Sequence, residues 1–445
     1  MGNRIIKALW GDLKGDELKK FILLATGFFF LIGSFWPLKT LKDSIFLNII
    51  GPEHLPTAKM LSLALFFPLV ILYSKLVDIF SKEKMVYCVL SVYGVIGLIL
   101  VYFLYHPTIG LTNTAMHSGR FIGWAFYLFV ESYASLMISL YWSFVNDITT
   151  PESAKKGYGL IIFGCQLGGF LFILLGNILS TDTNKFASSA PFIALISICM
   201  FFMVGFVTFL LKHAVNQNSL EGYQEDIAQK SLHKIEETVG FLDGLKVVIT
   251  NPYVAGIFGT IFFHELISTV MYYQMSFLAK TTYIDAGVVN KFLFDYGLCV
   301  QGIACLFGLF GTSFFQRKFG IRFCIVAYPL LLGVSILVYL IRPNLTTIFY
   351  VMLVAKAINY AFNQPAKEVL YIPTSRSIKY KSKAWSDQFG LRFAKASGSM
   401  VNKIFGAMAT SSGIVVLCCI GAWSLLANKI GNSFTKAVAN NELIK

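Results

Sequence analysis

Charge is what this sequence has least of. Asp, Glu, Lys and Arg make up 13% of its 445 residues, against 56% hydrophobic residues and 42 phenylalanines, a balance that no ordinary water-soluble core requires. Acidic residues are the scarcer sign, 23 against 37 basic. The 8 cysteines stand singly or as Cys418–Cys419, with no C-x-x-C pair and no His/Cys cluster at metal-ligand spacing. That excludes a disulfide framework and a zinc site, and leaves the cysteines as small apolar fillers. There is no G-x-x-x-x-G-K-[ST] loop, nucleophile elbow, zinc helix motif or kinase signature, so nucleotide hydrolysis has no motif and no cofactor is expected.

What is present is a series of long apolar runs. A helix needs about 20 apolar residues to cross a hydrocarbon core, and backbone polar groups in lipid must be satisfied within the segment. Runs bounded by charge, Pro or Gly predict an all-α polytopic membrane protein of twelve transmembrane helices, at 20–48, 59–80, 85–105, 120–146, 155–180, 190–211, 253–279, 291–316, 321–341, 345–371, 383–408 and 411–428. Lys and Arg gather in the N-terminus, alternate loops and the C-terminus, which places both termini in the cytoplasm. The same rule accounts for the net charge of +14 without a nucleic acid partner. Residues 1–19 are amphipathic and lack the apolar core and small-residue cleavage site of a signal peptide, so an interfacial helix is expected. The long polar stretch 212–252 separates six spans (20–211) from six (253–428), with a cytoplasmic tail at 429–445. Two six-helix halves on a cytoplasmic bridge are the layout of a major-facilitator-like transporter. A weak internal echo agrees: "NDITTPESAKKGYG" after the fourth span and "KEVLYIPTSRSIKYKSKAWSDQFG" after the tenth share the order acid, break, basic pair, Gly-bearing helix.

Ionisable residues inside spans cost at least ~2.5 kcal/mol each and usually face a water-filled path. In "FWPLKTLKDSIF", Lys39 and Asp43 are spaced i and i+4 and can pair, which leaves Lys42, with Phe46 four residues on, as the freer cation. The Lys39–Asp43 pair admits a structural reading as readily as a functional one. In "FVESYASLMISLYWSFVND", Glu131 has no basic residue in its own helix; it is either a structural partner of a neighbouring helix or a gating or coupling carboxylate. In "FFHELISTVMYYQM", His264 and Glu265 are adjacent but about 100° apart around the helix, so His264 is either a satisfied core histidine or a proton relay. In "DQFGLRFAKASGSM", Arg392, Lys395 and Ser399 form one polar stripe, with Ala396 and Gly398 allowing close approach. With Lys367 of "NQPAKEVLYIP", cations outnumber carboxylates inside the spans. Such an excess suits a multiply charged anion such as a phosphate ester, which fixed Lys and Arg can hold and release.

The segment "PAKEVLYIP" followed by "KSKAWSDQFGLRFAKASGS" resembles the Pro-x-Lys-Glu-x-x-Tyr-Ile-Pro segment and the downstream Lys/Arg pattern of the nucleotide transporters, or ATP/ADP translocases, of obligate intracellular bacteria, plastids and microsporidia. "LKDSIF", "GPEHLPTAK", "PLVILYSKL" and "FVNDITTPESAKKGYGLI" are similar to further family segments in the same order. The resemblance implies a twelve-helix exchanger of ATP and ADP that moves nucleotides across the bilayer without hydrolysis, with no obligate protein partner, in a bacterial inner membrane. It implies transport roles for Lys42, Glu131, Glu265 and Lys367, with Arg392 and Lys395 in the eleventh-span motif. Thr40, Gln364, Ser268 and Thr269 depart from the family's usual residues. Paralogues in the family carry other nucleotides or NAD, or couple nucleotides to protons, so proton-coupled import is the alternative; a membrane enzyme acting on phosphate esters and a non-transporting scaffold are remoter ones.

Overall fold

Twenty consecutive apolar residues in lipid have one way to bond their own backbone, and the computed structural model shows it: the described chain is helical almost throughout. It describes residues 15–149, 151–216, 220, 241–310, 312–371, 373–374 and 385–440. The helices are α1 (Gly15–Ile49), α2 (Leu55–Ile79), α3 (Lys82–Tyr105), α4 (Phe121–Asp147), α5 (Pro151–Leu179), α6 (Phe186–Ala214), α7 (Phe241–Thr250), α8 (Pro252–Thr282), α9 (Ala286–Phe310), α10 (Thr312–Ile341), α11 (Leu345–Ile358), α12 (Gln364–Leu370), α13 (Leu391–Phe405) and α14 (Ala409–Ala439). Nine helices among the described residues are long and apolar enough to cross a membrane. The remaining expected spans coincide with α9, with α11 continued through α12, and with α13. Residues 1–14, most of 212–252, residues 375–384 and residues 441–445 lie outside the described residues, as do the side chains of Gln364 and Glu368.

Two compact units result. The first comprises Met1–Gly51, Ala64–Asp226 and Tyr283–Gln301; the second comprises Pro52–Leu63, Ile227–Thr282 and Gly302–Lys445. At the centre of the first unit is α1, packed against α5, α6 and α4 and buried on nearly every side from Leu38 to Ile49, as a helix that is apolar all round should be. Its approach to α5 depends on "GCQLG": a Cβ at Gly164 would overlap the carbonyl oxygen of Ala25, and one at Gly168 that of Phe29. This is small-residue packing of the kind that brings membrane helices together without a hydrophobic driving force. Gly168→Val is expected to force the two helices apart and lower the melting temperature of the detergent-solubilised protein, at a cost of ~1–3 kcal/mol or more. Gly205→Val is the tolerated control, since the nearest atom to its Cβ lies 3.9 Å away.

Polar side chains elsewhere in this unit close local accounts. The Arg120 guanidinium donates to the carbonyls of Asn113, Ala115 and Ile109 at 2.8–2.9 Å, tying down the loop before α4. Lys291 of α9 donates to Asp295 at 2.6 Å and to Asn177 of α5 at 2.8 Å. The Asn177 amide donates to Asp295 at 2.7 Å.

In the second unit α8 packs on α13, α14 and α11, and α10 on α14 and α11. A break at Gly320, where φ is +80°, falls in the left-handed region that glycine enters without strain; it separates the start of α10 from its membrane-crossing part. Two π-helical turns, Asn359–Asn363 and Ser386–Gly390, lie at the junctions α11/α12 and before α13. Such turns carry one residue too many for an α-turn and recur at functional sites.

Candidate functional site

Ion pairing inside the first unit is built on α1 and α4. Lys42 is 5% exposed and Asp43 2%. The Lys42 Nζ lies 2.7 Å from Asp43 Oδ1 and 3.0 Å from Glu131 Oε1, and 4.3 Å from the centroid of the Tyr127 ring. An ammonium removed from water to this extent costs several kcal/mol unless paired and bonded, and here two carboxylates and an aromatic face hold it. The expectation that Lys42 is the freer cation is therefore corrected. Spacing of i and i+4 shows only which residues share a helical face; packing of α4 on α1 decides that Lys42 faces a second carboxylate. Lys39 is exposed, its Nζ 4.6 Å from the Trp36 ring and 5.6 Å from that of Phe35. Thr40, at the position where the resembling family has Asp, donates to the Trp36 carbonyl at 3.1 Å.

The second unit gathers its charges around one carboxylate. Gly398 lets α13 approach α8 so closely that a Cβ there would stand 2.7 Å from the Leu266 carbonyl oxygen. That approach sets Lys395 beside Glu265, Nζ to Oε2 3.9 Å, with side-chain exposures of 48% and 20%. Lys367 of α12 and Lys356 of α11 also lie within electrostatic range of Glu265. Neither has a hydrogen bond or close ion pair among the described residues. Arg392 is half-buried at the start of α13. Ser399, the last member of the predicted stripe, is fully buried, and its hydroxyl donates to the Lys395 carbonyl at 2.9 Å, so the stripe ends at Lys395.

His264, adjacent to Glu265, is buried; its Nδ1 and the Tyr328 hydroxyl share a hydrogen bond of 2.7 Å, and its ring packs on Trp423. Of its two sequence readings this is the satisfied core histidine. Sequence reasoning missed Lys356, which lies in "LTTIFYVMLVAKAI" with no motif around it. The one signal was that a lysine interrupts an otherwise apolar run.

The two clusters differ in sign. Lys42 is outnumbered by Asp43 and Glu131, whereas Glu265 is outnumbered by Lys356, Lys367 and Lys395. Among the described residues, the positive excess inferred from composition is therefore carried by the second unit, where Glu265 has Lys395 at 3.9 Å and Lys356 and Lys367 within electrostatic range. Such a cluster is suited to an anion with several charged oxygens that can replace Glu265 as their counter-charge.

The model of the TLC ATP/ADP transporter family matches residues 3–344 and 345–434. The chain is 23% identical over 482 residues to "ADP,ATP carrier protein 2, chloroplastic" of Arabidopsis thaliana, covering 96% of this chain and 76% of that protein. It is 23% identical over 452 residues to "ADP,ATP carrier protein 3" of Rickettsia bellii, covering 90% and 89%. Among solved structures it is similar to a D-xylose-proton symporter, with a TM-score of 0.62 at 14% identity over 93% of this chain and 98% of that one; that likeness concerns the fold, which is major-facilitator-like.

Proposed function

The chain belongs to the TLC ATP/ADP transporter family, and from that premise we propose that this membrane transporter exchanges ATP for ADP by alternating access, its substrate's phosphates held by Lys367, Lys395 and Arg392. The observation that carries the assignment of residues is the approach of Lys395 to Glu265 at 3.9 Å in the second unit, with Lys367 and Lys356 within electrostatic range of the same carboxylate. In the empty carrier Glu265 neutralises part of that charge. An arriving phosphate displaces it, so binding exchanges one counter-anion for another at Lys395. Lys42, held by Asp43 and Glu131, has a different role. It holds two carboxylates at hydrogen-bonding distance, and α1 registered on α4, while the carrier changes state. Lys39, exposed on the same helix, adds a cation to that face. Movement of residues 20–211 against 253–428, joined by the linker, supplies the alternation. In this reading both termini lie on the cytoplasmic side, which the distribution of Lys and Arg supports, and the membrane is a bacterial inner membrane.

Counterflow tests the reading. Vesicles carrying the protein and preloaded with ADP are expected to take up labelled ATP, to take up none when empty, and to continue when a pH gradient is collapsed, with the label recovered as intact ATP. Uptake into empty vesicles driven by a pH gradient would instead establish proton-coupled import.

A further inference from the structure

Lys356 belongs to no motif, yet its surroundings are unusual for a lysine in an apolar helix. It stands on α11, half-buried, and forms with His264 and Ser268 of α8 the polar edge of a small pocket whose other walls are apolar side chains of α8, α10 and α11. Its electrostatic neighbours are Glu265 and Lys395. His264 is already bonded to Tyr328, and the Glu265 carboxylate is approached by Lys395 at 3.9 Å. No described residue offers Lys356 a hydrogen bond or a close ion pair. A charge inside a membrane bundle carries a penalty of several kcal/mol, and one without a fixed partner is sustained where an anion visits.

Two further features narrow the assignment. Lys356 and Lys367 flank the π-helical turn Asn359–Asn363, in which Asn359 is buried and accepts from the Asn363 amide at 2.8 Å. The extra residue of such a turn offsets the face of α12 from that of α11, so both lysines come within range of the same carboxylate although they sit on separate helical segments. Second, the charge count is lopsided. Lys395 alone matches Glu265, and Lys356 and Lys367 are then two further positive charges. A triphosphate carries more negative charge than a diphosphate, and a second surplus cation is the group that would register that difference.

We propose that Lys356 is a further substrate-recognition residue, which meets the terminal phosphate of the bound nucleotide and sets the preference for triphosphate over diphosphate. This rests on the nucleotide-exchange reading above. Lys367 holds the phosphates common to ATP and ADP, and Lys356 takes the additional one. When the site is empty Lys356 shares Glu265 with the other two lysines.

The test is exchange by the full-length carrier in vesicles, with KM and Vmax measured separately for ATP and ADP in the wild type, Lys356→Gln and Lys356→Arg. Lys356→Gln is expected to raise the KM for ATP about tenfold more than the KM for ADP, the loss of one charge-assisted contact, and Lys356→Arg to restore the wild-type ratio. The ratio of the two KM values does not depend on how much carrier folds. For a variant too slow to assay, it is read from the ATP and ADP concentrations that protect the solubilised protein against heat. An unchanged ratio in Lys356→Gln, or an equal fall in both exchanges that Lys356→Arg fails to rescue, overturns the proposal and leaves nucleotide exchange standing. A wild-type carrier that exchanges no nucleotide overturns the reading itself, and this proposal with it.

Discussion

Replacing Lys42 by methionine is expected to abolish exchange and to lower the melting temperature of the solubilised carrier by the equivalent of ~3–5 kcal/mol, the cost of removing one partner from a buried ion pair. The cost comes from what is left behind. Asp43 and Glu131 lose the ammonium they share at 2.7 and 3.0 Å, and Asp43 is only 2% exposed, so water cannot take the lysine's place without opening α1 from α4. The double variant Lys42→Met/Asp43→Asn removes one charge of each sign. It is expected to recover part of the melting temperature and none of the exchange, which separates the lysine's contribution to folding from its contribution to transport. A Lys42→Met carrier as heat-stable as the wild type would show that the cluster does not hold α1 to α4.

Lys367→Gln is expected to behave in the opposite way: a 10- to 100-fold loss of kcat/KM for nucleotide, with a melting temperature close to that of the wild type. One hydrogen bond to a charged group contributes ~1.5–3 kcal/mol, and ~1.4 kcal/mol is a factor of ten. Stability is spared because Lys367 has no close ion pair or hydrogen bond among the described residues, so that its removal breaks none. Counterflow of labelled ATP into ADP-loaded vesicles reads the loss. Wild-type uptake by Lys367→Gln would remove Lys367 from the phosphate site.

The contrast between these lysines could not be drawn from their sequence neighbourhoods. Both stand inside apolar runs beside an acid, Lys42 before Asp43 and Lys367 before Glu368. What separates them is Glu131, which is remote in sequence and meets Lys42 only because α4 packs on α1. Lys395 and Glu265 are likewise distant in sequence and are joined through Gly398. Lys356 escapes a sequence reading because a motif marks a residue by its local neighbours, and those of Lys356 are apolar; its informative neighbours are on α8 and α13.

By itself the sequence determined the class of this protein. Long apolar runs allow only helices in lipid, since every backbone donor and acceptor must be satisfied within its own segment, and the motifs around Lys367 and Lys395 pointed to the nucleotide transporter family. It also determined that cations exceed carboxylates inside the spans, because that is a matter of counting. The tertiary structure decided where the excess lies. Charge in a low-dielectric bundle is governed by distances of a few ångströms between helices, and those distances are set by how the helices pack. They left Lys42 enclosed by two carboxylates and set Lys395 beside Glu265.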